Sequence, residues 1–176
     1  MAGTTTNNGW DYPTSTDYVK DGALAIQTLA TDIDTSVGSG LLAWTSYTPV
    51  WSGNGTAPTI GNGTISGNFC QIGKTVHFNI AWSLGSTSTV GTSTRYTVTL
   101  PITAKANQAL TGSGLYFDTS ASNYYPFFLR NSTTLIDTMF FSVGPTSITG
   151  NVLAAAKPVV PATGDSYTLT GTYEAA

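Results

Sequence analysis

Residues 75–84 read Thr-Val-His-Phe-Asn-Ile-Ala-Trp-Ser-Leu, and this stretch decides the fold class. Apolar and polar side chains alternate along it with a period of two, which is typical of a β-strand with one buried and one solvent-facing side. We therefore expect one side of this strand to lie in a core and the other to face water. The predicted core side consists of Val76, Phe78, Ile80, Trp82 and Leu84.

The same alternation recurs along the chain from residue 40 onward, between turns rich in Gly, Asn, Ser and Pro. Tyr96 and Val98 show it before Pro101, and Tyr167 and Leu169 show it near the C-terminus. Further strands are predicted at residues 41–51, 65–72, 115–119, 124–130 and 138–143. About eight short strands with irregular links predict a mainly β fold, an antiparallel β-sandwich of jelly-roll-like character.

One helix is predicted before these strands, over residues 14–37. Thr14 and Asp17 form a variant of the capping box at its start, and Gly38 is placed to end it. The chain then has three segments: an N-terminal peptide over residues 1–13, a helix over residues 14–38, and a β-sandwich head domain over residues 39–176.

The predicted helix carries a narrow apolar seam with spacings of three and four residues. Such a seam either packs on the helix's own domain or pairs with copies of itself, and we favour self-association because the seam is narrower than the stripe of most globular helices. Ile followed by Leu in the seam favours a dimer, but two informative layers are too few to determine how many helices assemble. The predicted interface residues are Val19, Gly22, Ile26, Leu29 and Ile33.

The composition argues against several partners. Six Lys and Arg against nine Asp and Glu, with a pI near 4.7, do not supply the basic surface that nucleic acid requires. Cys70 is the single cysteine, so no intrachain disulfide can form. The first residues do not resemble a secretion signal and no apolar run approaches a membrane span. We expect a protein that is made in a cytoplasm and binds neither nucleic acid nor membrane.

The inventory of reactive side chains is small, with one His, one Cys and one Glu. We therefore expect no enzyme, no cofactor and no metal site. Glycoside cleavage needs only two carboxylates, and Asp118 and Asp137 are the residues to test for it, although a solubilising role fits them better. His77 is expected on the solvent-facing side of its strand.

Aromatic residues cluster in the strand at residues 124–130, where both alternating sides are apolar. One side is then covered by another layer or subunit, or it forms a patch for a ligand such as a stacked sugar ring. The residues considered for that ligand surface are Tyr124, Tyr125 and Phe127.

The N-terminal peptide is polar and ends in aromatic residues and proline, at Trp10, Tyr12 and Pro13. A peptide of this kind is disordered alone. It becomes ordered either by docking to another protein or by covering the end of the neighbouring helix.

Two parts of the chain resemble virion proteins of phages that infect actinobacteria, namely their short fibres, minor tail proteins and capsid-decoration proteins. Residues 9–34 are similar to the anchoring head and helix that open such proteins. Residues 47–76, with the Ile60-Gly-Asn-Gly-Thr64 turn and Gly73-Lys-Thr-Val76, resemble the start of a β module reused in phage fibres.

The resemblance implies a homotrimer in the virion, with its N-terminus attached to another virion protein through Trp10, Tyr12 and Pro13 and its β domain facing outward. Attachment to the host surface, with cell-wall glycan as the candidate receptor, is the first function it implies. A capsid-decoration protein that stabilises the head shell is the alternative, and a glycan-cleaving depolymerase is a weaker one.

Overall fold

A computed structural model of the protein describes residues 3–6, 9–40, 43–106, 111–131, 134–143, 148–156 and 158–176. The chain divides into two compact units, Met1–Ala43 and Trp44–Ala176. It is mainly β with one N-terminal α-helix among the described residues, so the predicted fold class is confirmed at that level.

The N-terminal unit combines a small hairpin with the helix. Strands β1 (Gly3–Thr4) and β2 (Asp11–Tyr12) pair antiparallel, with Gly3 opposite Tyr12. A single 3₁₀ turn over Val19–Asp21 then leads into helix α1 (Gly22–Gly40).

Helix α1 begins eight residues later than the capping pattern predicts, so that prediction is wrong. The backbone N–H of Thr14 does donate to Asp17 Oδ2 at 2.8 Å, as the acidic arm of a capping box would require. However, the Asp17 N–H donates back to the Thr14 carbonyl at 3.1 Å, and Tyr18 is extended, with φ −70° and ψ 137°. The pair therefore closes an isolated turn. The helix also continues past Gly38 to Gly40.

In the part of the second unit that the structure describes there are ten strands. In chain order they are β3 (Thr45–Tyr47), β4 (Trp51–Gly53), β5 (Thr64–Ile72), β6 (Thr75–Ser83), β7 (Tyr96–Thr99), β8 (Thr111–Asp118), β9 (Asn123–Asn131), β10 (Leu135–Val143), β11 (Ile148–Val152) and β12 (Ser166–Glu174).

Two strand predictions need correction. The single strand predicted over residues 41–51 is two strands, β3 and β4, because buried Pro49 lies between them and a proline cannot continue a ladder. Residues 41 and 42 lie outside the described residues. Strand β11 was not predicted, since Gly150 and Asn151 interrupt the alternation there.

The ten strands form one antiparallel sheet in the order β3-β5-β6-β12-β8-β9-β10-β7-β4, with β11 paired to β10 as a branch. Its two edge strands, β3 and β4, are only three residues apart in the chain. The sheet must therefore bend back on itself, and the ring of Trp51 in β4 accordingly lies 6.1 Å from Trp82 in β6 and 6.4 Å from Tyr167 in β12. The core of this unit lies on the inner side of the bend.

Strand β6 has the two sides that its sequence predicts. Val76, Phe78, Ile80 and Trp82 are at most 3% exposed, whereas the residues between them face solvent. Strand β12 follows the same rule, with Tyr167, Leu169 and Tyr173 buried.

A row of stacked rings crosses four adjacent strands inside the sheet. Trp82, Tyr167, Tyr116 and Tyr125 are direct neighbours across β6, β12, β8 and β9, and successive ring centroids are 4.5, 4.5 and 5.6 Å apart. Cross-strand aromatic pairs of this kind stabilise a sheet beyond the area they bury. The row fixes the register of the four central strands.

Three inward-facing glycines each lie under an aromatic ring of the paired strand. Gly67 is opposite Tyr47, Gly114 is opposite Phe127, and Gly171 is opposite Phe78. A Cβ at each position would lie between 2.3 and 2.8 Å from that ring. Glycine is required here because the ring occupies the space of a side chain.

Candidate interaction surfaces

Helix α1 presents its apolar stripe to solvent in the single chain. Ile26 is 62% and Ile33 is 38% exposed, and Gly22 and Leu29 are half-buried. These four positions are spaced by four, three and four residues, so they share one side of the helix. Val19 is 98% exposed but lies in the 3₁₀ turn before α1. The helical part of the predicted seam therefore starts at Gly22.

The three predicted anchoring residues have different surroundings. The indole N–H of Trp10 donates to Ser36 Oγ at 3.1 Å, so Trp10 packs on the helix of its own unit. The sequence leaves two alternatives for the N-terminal peptide, docking to another protein or covering the end of the neighbouring helix, and this contact corresponds to the second. The ring of Tyr12 lies on Gly3 but stays 41% exposed, and Pro13 is half-buried. Their contact with another virion protein stays a prediction.

A groove of about 680 Å³ separates residues 11–19 from the first half of the helix. Its walls combine apolar side chains, including Tyr18 and Leu24, with three carboxylates, Asp11, Asp17 and Asp21. The sequence reasoning missed this groove because it continued the helix back to Thr14, which would have placed these residues on one rod.

The predicted ligand surface is wrong in part, because its three residues do not share the outer side of the large sheet. Tyr124 is 62% exposed, but Phe127 is 1% exposed and belongs to the core, and Tyr125 is half-buried and stacked on Tyr116. Successive residues of a strand point to opposite sides, so Tyr125 and Phe127 face inward and cannot join Tyr124 on a surface. The outward residues of β9 are Tyr124, Pro126, Phe128 and Arg130, and the first three of them are apolar.

Tyr124, Pro126 and Phe128 of β9 lie next to Leu115 and Phe117 of β8. We call these five residues the aromatic patch. Leu115 is opposite Pro126, and Phe117 is opposite Tyr124, with the two rings stacked at 4.6 Å. Periodicity alone predicts that both sides of this segment are apolar and leaves open whether the second side is covered or forms a patch, and only the partner strand shows which residues complete the patch.

Next to this patch lies a trough of about 410 Å³ on the outer side of β6, β12 and β8. Small and polar side chains line it, because each of the three strands contributes residues such as Ala81, Thr168 and Ser113 at this height of the sheet. The lining side chains of outward residues are those of Asn79, Ala81, Ser113, Leu115, Thr168 and Thr170.

The buried carboxylates of the sheet hold loops in place. Asp165 is 1% exposed and accepts hydrogen bonds from Tyr116 Oη at 2.6 Å, Ala162 N at 2.8 Å and Thr119 N at 2.9 Å. Burial, followed by this bond to Asp165, raises the pKa of Tyr116.

Asp118 accepts from Ser120 Oγ at 2.7 Å and from Ala121 N at 3.1 Å, and these bonds hold the pKa of its carboxyl below the usual 3.8. A general acid needs the opposite shift. The side chain of Asp137, its predicted partner, lies outside the described side chains.

Two other reactive residues, His77 of β6 and Cys70 of β5, are direct neighbours in the register of the sheet. His77 Nδ1 lies 2.9 Å from Thr172 Oγ1 on the outer side of the sheet, and Cys70 is buried. In the part of the chain that the structure describes, no three His, Cys, Asp or Glu side chains converge as a metal site. Helix α1 does not combine the length and the apolar character that crossing a bilayer requires.

Comparison of the chain with models of known protein families, with curated proteins and with solved structures gives no match. Its function is therefore inferred from its own surfaces.

Proposed function

We propose that this protein is a homotrimeric structural protein of a phage virion, a surface spike or fibre that attaches the particle to its host. The observation that carries the proposal is the exposed apolar stripe of α1, with Ile26 and Ile33 in solvent in the single chain. Exposed stripes of this kind mark protein–protein contacts. The N-terminal unit is then the assembly and anchoring part, and the β unit is the outward part.

The geometry of the helix supports assembly through copies of the chain. At 1.5 Å per residue its 19 residues span about 28 Å, and the spacing of Gly22, Ile26, Leu29 and Ile33 is that of a coiled-coil seam. Pairing with copies removes this stripe from water. The number three comes from the resemblance to phage fibre proteins, because the seam by itself leans towards a dimer.

The β unit supports the role of an outward domain. Rings from five strands of the same chain pack together in its core, which supports a domain that folds separately from the assembly. Its surface polarity comes from Ser, Thr and Asn, since only 9% of the whole chain is charged. We propose a jelly-roll-like sandwich as the finer description of this bent sheet, and Tyr12 and Pro13 as the contact with a capsid or tail protein.

Sedimentation equilibrium of the full chain tests the assembly. We expect a trimer, and we expect the double variant Ile26→Ser, Ile33→Ser to be a monomer with unchanged near-UV circular dichroism from the aromatic core. Leu24→Ser is the matched control, because Leu24 is equally exposed but lies on the opposite side of the helix. A wild-type monomer at micromolar concentration, or a trimer that survives the double substitution, contradicts the proposal.

Particles that lack the β unit separate attachment from capsid decoration. Loss of adsorption with intact, heat-resistant particles supports the spike. Fragile heads with normal adsorption would instead assign the protein to reinforcement of the shell.

A further inference from the structure

We infer that the trough on the outer side of β6, β12 and β8, together with the aromatic patch beside it, binds an uncharged glycan chain. This inference deepens the attachment role proposed above and rests on it for the source of the glycan. Three features of the described residues lead to it: the free hydroxyl groups of the trough, the absence of Asp, Glu, Lys and Arg from the five strand segments around it, and an exposed aromatic surface.

The hydroxyl groups of Ser113, Thr168 and Thr170 face solvent, and among the described residues none of the three has a hydrogen-bond partner. Elsewhere on this protein, neighbouring hydroxyls bond to one another across strands and loops. The pairs Thr64–Ser83, Ser52–Thr97 and Thr59–Thr89 are each 2.9 Å apart. The trough therefore keeps both donors and acceptors available, and a hydroxyl-rich ligand uses both.

The strand segments around the trough carry no ionic side chain, and Arg130, the next outward residue of β9 after Phe128, lies beyond them. Residues 64–68 of β5, 79–83 of β6, 166–170 of β12, 113–117 of β8 and 124–128 of β9 contain no Asp, Glu, Lys or Arg. An ionic ligand would lose hydration here without gaining a counter-charge. A neutral ligand matches this surface because nothing on either side has to give up a hydrated charge.

The aromatic patch supplies a flat apolar surface next to the hydroxyls. The ring of Tyr124 stacks on that of Phe117 at 4.6 Å, and Phe128, four residues further along β9, is 53% exposed. The C–H face of a sugar ring packs on such an aromatic ring while its hydroxyls bond to polar neighbours. The aromatic patch thus provides a stacking surface next to the hydrogen-bonding groups of the trough.

The same features argue against a second copy of the chain as the occupant. A protein interface that covered the trough would bury three hydroxyls, and each would lose its bonds to water unless the partner replaced them. The centres of protein interfaces are apolar and poor in Ser. The free hydroxyls therefore favour a ligand that is itself rich in hydroxyl groups.

Affinity electrophoresis of the full chain in native gels tests this inference. The probes are four neutral polysaccharides, a glucan, a mannan, a galactan and an arabinan, and two polyanions, hyaluronate and heparin. We expect at least one neutral polysaccharide to slow migration and neither polyanion to do so. The double variant Ser113→Ala, Thr168→Val should bind that polysaccharide at least about tenfold more weakly, since each lost hydrogen bond costs about fivefold.

Two further variants separate binding from folding. Thr75→Val removes an exposed hydroxyl from the same side of β6 but outside the trough, and it should bind as the wild type does. Tyr124→Phe should retain most of the binding and Tyr124→Ala should lose it, because the ring and not the phenol oxygen makes the stack. Near-UV circular dichroism verifies the fold of each variant.

Several results would overturn the inference: no retardation by any neutral polysaccharide, retardation by polyanions only, or full binding by the double variant. A change of sedimentation in Phe128→Ser would also overturn it, because the patch would then belong to a contact between copies. Absent binding by an intact trimer refutes the glycan site and leaves the spike proposal standing. A monomeric wild type that binds a neutral glycan refutes the proposed trimer and leaves the glycan site standing.

Discussion

At the scale of single residues, Asp165 connects parts of the β unit that are distant in sequence. Its carboxylate joins Tyr116 of β8 to the backbone of two loops through three hydrogen bonds, and it is 1% exposed. A buried donor that loses its acceptor retains the full cost of its lost hydration.

We expect Asp165→Ala to lower the free energy of unfolding by about 3 kcal/mol, because one hydroxyl and two backbone N–H groups are left without their acceptor. Urea denaturation followed by tryptophan fluorescence measures this. Tyr116→Phe removes only the hydroxyl and should cost about 1 kcal/mol. Equal losses in the two variants would show that the loop contacts of Asp165 contribute nothing.

At the scale of elements, the inward glycines determine how closely neighbouring strands pack their rings. Gly114 of β8 lies under the buried ring of Phe127, its direct neighbour in β9, and an added Cβ would be 2.3 Å from that ring and 2.5 Å from the Thr168 carbonyl oxygen. The ring and the carbonyl leave no room for even one methyl group.

Gly114→Ala should therefore destabilise the protein by about 2 kcal/mol, through displacement of the ring and of β12. A double-mutant cycle with Phe127→Leu measures the coupling: the smaller side chain makes room, so the alanine should cost less in the Phe127→Leu background. Additive effects would show that the Thr168 carbonyl, and not the ring, is what excludes a side chain.

At the scale of the whole molecule, buried tyrosines make the fold sensitive to alkaline pH. Burial raises the pKa of Tyr47, Tyr96, Tyr116 and Tyr167, and it raises the pKa of Tyr173 to about 12. In the unfolded chain a tyrosine ionises near 10. The stabilising contribution of these groups is thus fully present below pH 10 and is lost as the pH rises towards their folded values.

We expect cooperative unfolding within one or two pH units above 10, because each of these tyrosines contributes about 1.4 kcal/mol per pH unit. Tyrosinate absorbance and near-UV circular dichroism should change together for the buried set. Tyr47→Phe, which removes one such group and only a 3.5 Å contact with the Thr99 carbonyl, should shift the midpoint upward. Ionisation of the buried tyrosines before the circular dichroism changes would contradict this expectation.

The sequence by itself determined most of the strand content and the two sides of the best strands. Period-two alternation is a local property, because each residue of a strand faces the side opposite to its neighbour whatever the sheet order. For β6 and β12 it therefore predicted both the strand and its buried side. It also predicted a helix with an apolar seam, since that spacing too is read within a few turns.

Only the tertiary structure decided where that helix begins, which side of β9 is the core, and what surrounds each surface. Thr14 and Asp17 satisfy a capping pattern equally well in a closed turn, and the extended backbone of Tyr18 ends the turn. Residues 124–128 of β9 are apolar on both sides, so their periodicity does not tell which side is buried. Phe127 is buried and Tyr124 is exposed because Gly114 and Tyr116 of β8, which pair with the residues on the inner side of β9, face the core. The trough, likewise, exists only where three strands distant in the chain are placed side by side, and contacts between distant segments leave no periodic signal in any one of them.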